Sequence, residues 1–471
     1  MNDKTRNQIL LVLFLGVLMG ALDIAIVAPA LPSIQAFFTV GDRILTWTFT
    51  IYVLFNLIGT PLMAKLSDTY GRRSIYTLDV TLFALGSLIV ALSPANMFAM
   101  LLIGRALQGF GAGGIFPVAS AVIGDTFPPE KRGGALGLIG AVFGLAFLVG
   151  PILGGVILAF TGWQWLFIIN LPIALAVILL GWQVLPVNRP ASTRPFDWAG
   201  MAILGVMLGS LAYGLNQIDT QNFFGSLATL NVWLPLLVGI ALLFVFPQVE
   251  KKAVDPILNL GLFKSRQTVL ASMLSAGAGL GESGMVFIPA LAVAAMPTII
   301  NTHNASYLLM PVVLAMAVGS PLVGRLMDKF GSKMMVFSGT LLLAIGMMML
   351  SSNLTSVLWG FIAAAAVIGL GLSSLLGAPM RYIMLNEASV AERTSAQGLI
   401  TLFTSVGQLT SSALVGAVAA SMGGGVKGYS TAYMVVGIIA GIMVILTLGL
   451  KNRQQELSML EHNGQSIPAT E

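Results

Sequence analysis

AKLSDTYGRR, residues 64–73, reappears 260 positions later as GRLMDKFGSK, residues 324–333. Leu66 falls on Leu326, Asp68 on Asp328, Gly71 on Gly331 and Arg73 on Lys333, all in one register. A second loop repeats as well. EKRGGALGL at 130–138 matches AERTSAQGL at 391–399, with Arg132 on Arg393 and Gly137 on Gly398, at an offset of 261. Two separate loops returning at nearly one spacing mark an internal duplication, so each half must contain the same set of elements.

Composition says what those elements are. Of 471 residues, 57% are hydrophobic and only 9% charged, against roughly 25% charged in an ordinary soluble domain. Such a chain cannot cover itself with a water-facing surface, and its mean hydropathy of +0.92 places most of it in lipid. Fourteen helices of about 20 apolar residues would use about 280 residues, close to the apolar content available. The 53 glycines would weaken soluble helices but suit membrane bundles, where small residues let backbones approach. The absence of cysteine excludes disulfides, thiolate metal sites and cysteine nucleophiles. His303 and His462 both fall in polar segments and offer no metal cluster.

Fourteen apolar stretches lie at about 9–30, 44–64, 74–93, 97–123, 134–160, 165–185, 198–217, 230–248, 268–295, 305–325, 334–352, 355–379, 395–421 and 430–450. Of the 23 Lys and Arg, all but Arg43, Lys427 and Arg105 fall at the termini or in loops after even-numbered helices. The positive-inside rule then puts both termini in the cytoplasm. The net charge of +5 is a topology signal, and no nucleic-acid partner is expected. The expected fold is an all-α membrane protein: a six-helix bundle over 1–186, two inserted helices over 187–250, a second six-helix bundle over 251–453, and a cytoplasmic tail over 454–471. The first apolar run, preceded by Lys4 and Arg6, has the look of a signal peptide, but the duplication uses this helix and so retains it.

Duplicated helical bundles are the sequence mark of secondary transporters, in which two halves rock about a site near the membrane midplane. The register pairs two acids there, Asp23 in GALDIAIVAPA and Glu282 in GLGESGMVFIPA. A charge at the bilayer centre is costly, and a carboxyl out of water favours its neutral form. Each acid is therefore suited to take up or release a proton as its exposure changes. Arg105 is the one cation expected within the membrane, placed to hold Asp23 ionised, to change its proton affinity by approaching and withdrawing, or else to snorkel to an interface. Asp79, only about 9 Å along its helix from Arg73, is expected at the solvated interface.

In the 64–73 loop, Gly71 permits a tight reversal while Arg72 and Arg73 anchor it in the cytoplasm. Asp68 is then poised for an ion pair or a helix N-terminus present in only one conformation, a latch repeated at Asp328 and Gly331. Helix 5 carries Gly140 and Gly144, then Gly150, Pro151, Gly154 and Gly155, which predicts a closely packed, bendable helix at the bundle interface.

At these residues the chain resembles the major facilitator superfamily, and within it the fourteen-helix drug:proton antiporters, over nearly its whole length. AKLSDTYGRR is similar to the family's signature loop, IGRALQGFGAG at 103–113 to its helix 4 motif, GLAFLVGPILGG at 144–155 to the helix 5 motif of exporters, and LDIAIVAPALPSI at 22–34 to the helix 1 motif that carries the acid. WQWLFIINLP at 163–172 and FDWAG at 196–200 also resemble the fourteen-helix branch. The resemblance implies that Arg105 serves proton coupling. Ala64 and Thr69 depart from the family's usual glycine and basic residue, which implies a looser latch. Ala25 and Ala28 leave Asp23 in a more apolar setting than the family's helix 1 does.

The expectation is a proton-coupled antiporter, not an enzyme, exporting amphipathic or cationic drugs across the cytoplasmic membrane of a prokaryote. Its partners would be the small substrate, protons and the bilayer; it would need no cofactor besides the proton gradient and act as a monomer. The alternative is a lipid or lipophilic-metabolite exporter of the same fold.

Overall fold

In lipid the backbone has no water to bond, so a chain of long apolar runs must satisfy its peptide groups within helices. The computed structural model describes residues 3–40, 45, 47–187, 197–219, 222–254, 256–300, 305–389 and 392–462, and no strand occurs among them. Arg43, Phe196, His303, the tail beyond His462 and the side chain of Pro151 lie outside the described set.

The first repeat comprises α1 (Asp3–Phe38), α2 (Trp47–Tyr70), α3 (Arg72–Ala91), α4 (Phe98–Thr126), α5 (Pro129–Phe160) and α6 (Asn170–Val184). Two further helices, α7 (Trp198–Asn216) and α8 (Leu230–Glu250), precede the second repeat. That repeat comprises α9 (Arg266–Gly284, prolonged by Ile288–Ala295), α10 (Met310–Phe330), α11 (Ser332–Ser351), α12 (Leu358–Leu375, prolonged by Ala378–Glu387), α13 (Arg393–Ser421) and α14 (Gly425–Thr447). A last helix, α15 (Arg453–His462), is short and polar. Among the described residues, twelve helices are long and apolar enough to cross a membrane, and the two parts of α9, bent by 43°, make a thirteenth if they form one span.

Small residues set the helix spacing inside each half. Gly113 of α4 lies against the backbone of Asn56 and Thr60 in α2, and Gly371 of α12 lies against Gly339 and Leu343 in α11, where any side chain would push the helices apart. Both duplicated loops turn on a glycine with positive φ, Gly71 at 97° and Gly331 at 86°, a conformation a Cβ would strain. The repeats diverge near the first acid of each. α1 runs unbroken past Asp23 to Phe38, whereas α9 breaks just after Glu282.

Of the inserted pair, α7 is the inner member. Its Met201, Leu204 and Leu208 are buried in one cluster with Leu57 of α2, Trp47 meets Tyr213 at 5.8 Å, and α7 also touches α13. α8 packs on α7 where Gly239 faces Leu211, and leaves Leu237, Ile240, Leu243 and Phe244 bare. At the chain's end, α15 is docked rather than free. The Glu456 carboxylate accepts from the Ser332 N–H at 3.2 Å and from the Ser332 hydroxyl, and Arg453 donates to the Asp328 carbonyl at 2.8 Å. Burial pushes the Glu456 carboxyl above its ordinary range, partly offset by those Ser332 hydrogen bonds.

Candidate functional site

The two halves are tied together at the end that bears the chain termini. Asp68, at the foot of α2, accepts from the backbone N–H of Thr394 (3.1 Å) and Ser395 (2.7 Å) and from the Ser395 hydroxyl (2.6 Å), all in the first turn of α13. A carboxylate there meets unpaired N–H groups and the positive end of the helix dipole. Arg72 joins Asp68 and the Thr394 hydroxyl and donates to Asp125 at 2.9 Å; Arg393 reaches the same Asp125 at 2.7 Å from the other half. The second copy is lighter: Asp328 accepts from two backbone N–H groups of α5, Gly134 at 3.2 Å and Gly133.

Arg73 stands apart from this network, with its guanidinium 4.4 Å above the Trp182 ring of α6; the expected pairing of Arg72 and Arg73 divides into a buried network member and a stacked anchor. Asp125, Thr394 and Ser395 were not singled out by sequence, although Arg393 and its neighbours stood in the duplicated loop. Ala64 is buried against Gly398 across the seam and Thr69 bonds back to the Lys65 carbonyl, and Asp68 keeps its bonds to Thr394 and Ser395 beside both departures from the family pattern.

The seam continues along α5 and α10. Gly137 faces Ser320 and Gly324, and a Cβ on Gly144 would lie 2.7–2.9 Å from Ala317. Beyond Gly144 the helix leaves the seam. Gly150 packs on Ala25 of α1, Gly154 is buried, and Gly155 is exposed with nothing near it. The glycines of helix 5 therefore divide among seam, bundle interior and outer surface.

Asp23 lies inside the first bundle with no exposure. Arg105 of α4, also fully buried, donates to it at 2.6 Å; Gln108 and Asn170 donate to its other oxygen at 3.0 and 3.1 Å, and both amides also reach the Ser87 hydroxyl. Arg105 donates further to the Thr48 carbonyl at 3.1 Å and is stacked 4.3 Å over the Tyr52 ring. A buried ion pair needs hydrogen bonds to offset its lost hydration, and α2, α4 and α6 supply them here.

Between the halves is a cavity of about 540 Å³, lined by α1, α2, α4 and α5 from one side and by α9, α10, α12 and α13 from the other. Glu282 is in its wall, accepting from Gln408 at 2.8 Å, whereas Asp23 is not. Tyr52 lines the cavity and covers Arg105 from that side. The paired acids of the two repeats thus occupy unlike places, one sealed behind an aromatic ring and one open to the cavity.

Two charged residues were misplaced by sequence. Arg381, assigned to a loop after helix 12, is on the prolonged part of α12, 4% exposed and in the cavity wall, so Arg105 is not the sole cation among the spanning helices. Asp79, expected at the solvated interface, is completely buried with neither carboxylate oxygen hydrogen-bonded, packed where Gly114 of α4 leaves room for it. No cluster of three or more His, Cys, Asp or Glu able to hold a metal occurs among the described residues.

Helices long enough to cross a membrane, arranged as two repeats around one shared cavity, define a multi-pass membrane transporter rather than an enzyme. The chain belongs to the Major Facilitator Superfamily, whose family model matches residues 13–310 and 273–461. It is similar to the uncharacterized MFS-type transporter YfiU of Bacillus subtilis, 34% identical over 414 residues covering 86% of this chain and 78% of that protein. It is also similar to Multidrug resistance protein 3 of Bacillus subtilis, 31% identical over 358 residues covering 75% and 68%. Among solved structures, the human organic anion transporter MFSD10 shares the fold at a TM-score of 0.69, with 16% identity over 95% of this chain and 100% of that one.

Proposed function

We propose that this protein is a proton-coupled antiporter that exports amphipathic drugs, cationic ones among them, across the cytoplasmic membrane of a prokaryote. Its likeness to Multidrug resistance protein 3 supports drug export. The observation that carries the coupling is the placement of the acids: Glu282 in the cavity wall, and Asp23 paired with Arg105 behind Tyr52. A cavity carboxylate holds either a proton or a cationic substrate, so protonation of Glu282 displaces the cation. A proton on Asp23 would remove half of a buried ion pair, and the Asp23–Arg105 geometry would have to change with it.

In this reading α5, at 32 residues or about 48 Å, is also a span, which completes fourteen. The halves are then residues 1–186 and 251–453 with an insert over 187–250, and both termini face the cytoplasm with the tail from 454. The seam tied by Asp68 and Asp328 closes the cytoplasmic end, so the state described faces outward. The protein acts as a monomer in the bilayer, with the proton gradient as its energy source and no cofactor.

The test is dye efflux from proteoliposomes with an imposed pH gradient, comparing wild type with Asp23→Asn and Glu282→Gln. Gradient-driven ethidium transport that a protonophore abolishes is expected in wild type, with a loss of about tenfold or more in each variant, equivalent to about 1.4 kcal/mol in the barrier. Undiminished transport in both variants would remove these acids from the mechanism. Lipid co-purifying with a protein that moves no dye would favour a lipid exporter instead.

A further inference from the structure

Three buried arginines among the described residues are ion-paired with carboxylates. Arg72 meets Asp68 and Asp125, Arg105 meets Asp23, and Arg393 meets Asp125. Arg381 is not among them. The residue is 4% exposed, and its guanidinium has only neutral hydrogen-bond partners, all at long range: Ser120 and Gln397 at 3.4 Å and Thr401 at 3.3 Å. Its Nε has no partner at all. The Phe116 ring lies 3.6 Å below the guanidinium and fixes its plane.

A cation out of water without a counter-charge is costly, and this one is in the wall of the transport cavity. A guanidinium's planar N–H fork matches a carboxylate in a two-point hydrogen bond. We propose that Arg381 is an anion-recognising residue of the cavity, and that its substrates include amphipaths carrying a carboxylate or an equivalent anionic head group.

The opposite charge is placed to extend this. Thr401, which Arg381 touches, and Gln408, which Glu282 touches, are seven residues apart on α13, or about 10 Å along it. An amphipath with its anionic group at Arg381 and an ammonium about two helical turns away satisfies both walls at once, while the apolar residues between them take its body. This refinement of substrate class rests on the cavity being the substrate site, as the exporter reading has it, but not on what drives transport.

The test uses purified protein in nanodiscs without a gradient. Binding of tetramethylrhodamine, which carries a free carboxylate, is compared by fluorescence polarisation with binding of its methyl ester, which lacks that charge. Wild type is expected to prefer the free acid by about tenfold or more, and Glu282→Gln to keep that preference. Arg381→Gln should abolish it while leaving ester affinity within about twofold; Arg381→Lys, with its charge but no fork, should keep part of it. Equal binding of acid and ester by wild type overturns the proposal, whether or not Arg381→Gln folds, and so does a preference that survives in Arg381→Gln. A failure of proton-driven efflux with this selectivity intact counts against the exporter reading alone.

Discussion

Asp68 and Ser395 lie 327 positions apart in the chain, yet Asp68 accepts both the backbone N–H of Ser395, at 2.7 Å, and its hydroxyl, at 2.6 Å. This contact joins the two repeats at one end, and its counterpart Asp328 accepts from the backbone N–H groups of Gly134, at 3.2 Å, and Gly133, with no hydroxyl beside them. The duplicated loops are therefore unequal in strength. Arg72 stands four residues after Asp68 and pairs with it, whereas Ser332 stands four residues after Asp328 and bonds to Glu456.

That inequality sets the outcome of two matched substitutions. Asp68→Asn should weaken the tied seam by about 1–3 kcal/mol and Asp328→Asn by less than about 1 kcal/mol. The chain has no cysteine, so one cysteine placed at the cavity residue Ser405 is labelled without background. Labelling by an impermeant maleimide from the termini side should rise about tenfold in Asp68→Asn and no more than about threefold in Asp328→Asn. Equal increases in the two would contradict the asymmetry.

Gly144 and Gly155 belong to one sequence motif but face different surroundings. Gly144→Val puts side-chain atoms onto Ala317 and should hold the halves apart, cutting transport by about tenfold or more. Gly155→Ala meets open space and should leave transport within about twofold while stabilising the helix by about 0.5–1 kcal/mol. Transport rates and thermal unfolding of the two variants check both; an intact Gly144→Val protein would show that the seam yields.

The buried carboxyl of Asp79 occupies the space that Gly114 leaves empty. Gly114→Ala alone should destabilise by about 1–3 kcal/mol through overpacking, and adding Asp79→Ala should recover most of that loss. Thermal unfolding of the single and double variants decides the matter. Strict additivity would mean the two residues do not compete for one space.

Docking of α15 should depend on pH. Burial raises the Glu456 carboxyl above its ordinary value of 4.5, so the docked helix binds the proton more tightly than the undocked one. Docking is then strongest below the ordinary value and weakens as pH rises through the raised one. Amide hydrogen exchange in α15, corrected for intrinsic rates, should show protection falling over that window, and Glu456→Gln should flatten the dependence. A pH-independent wild type would contradict this.

Much of this architecture was readable in the sequence because duplication and charge scarcity are one-dimensional signals. The 64–73 repeat located Asp68 and Asp328, which both bond to the opposite repeat, and Asp23 and Arg105 stood out as charges within apolar runs. The symmetry of Asp23 and Glu282 did not carry over to their surroundings. At the offsets that align the repeats, Arg105 corresponds to Ala365 or Ala366, so the second acid has no equivalent cation and faces the cavity. Arg381 was missed because α12 breaks near Gly377 and resumes, and a charge just past an apolar run reads as a loop residue. Asp79 was misplaced because depth along its own helix was the only coordinate available. Its burial is set by Gly114 on another helix, which no local pattern records.

The position of α7 makes the two flanks of the transporter unlike. This helix lies along α2 and reaches α13, beside the joint where those two helices meet, and α8 screens it from the other side. The matching joint between α5 and α10 has no such cover among the described residues. A molecule dissolved in the bilayer therefore meets a shuttered flank and an unshuttered one, and sideways entry from the membrane would favour the α5–α10 flank.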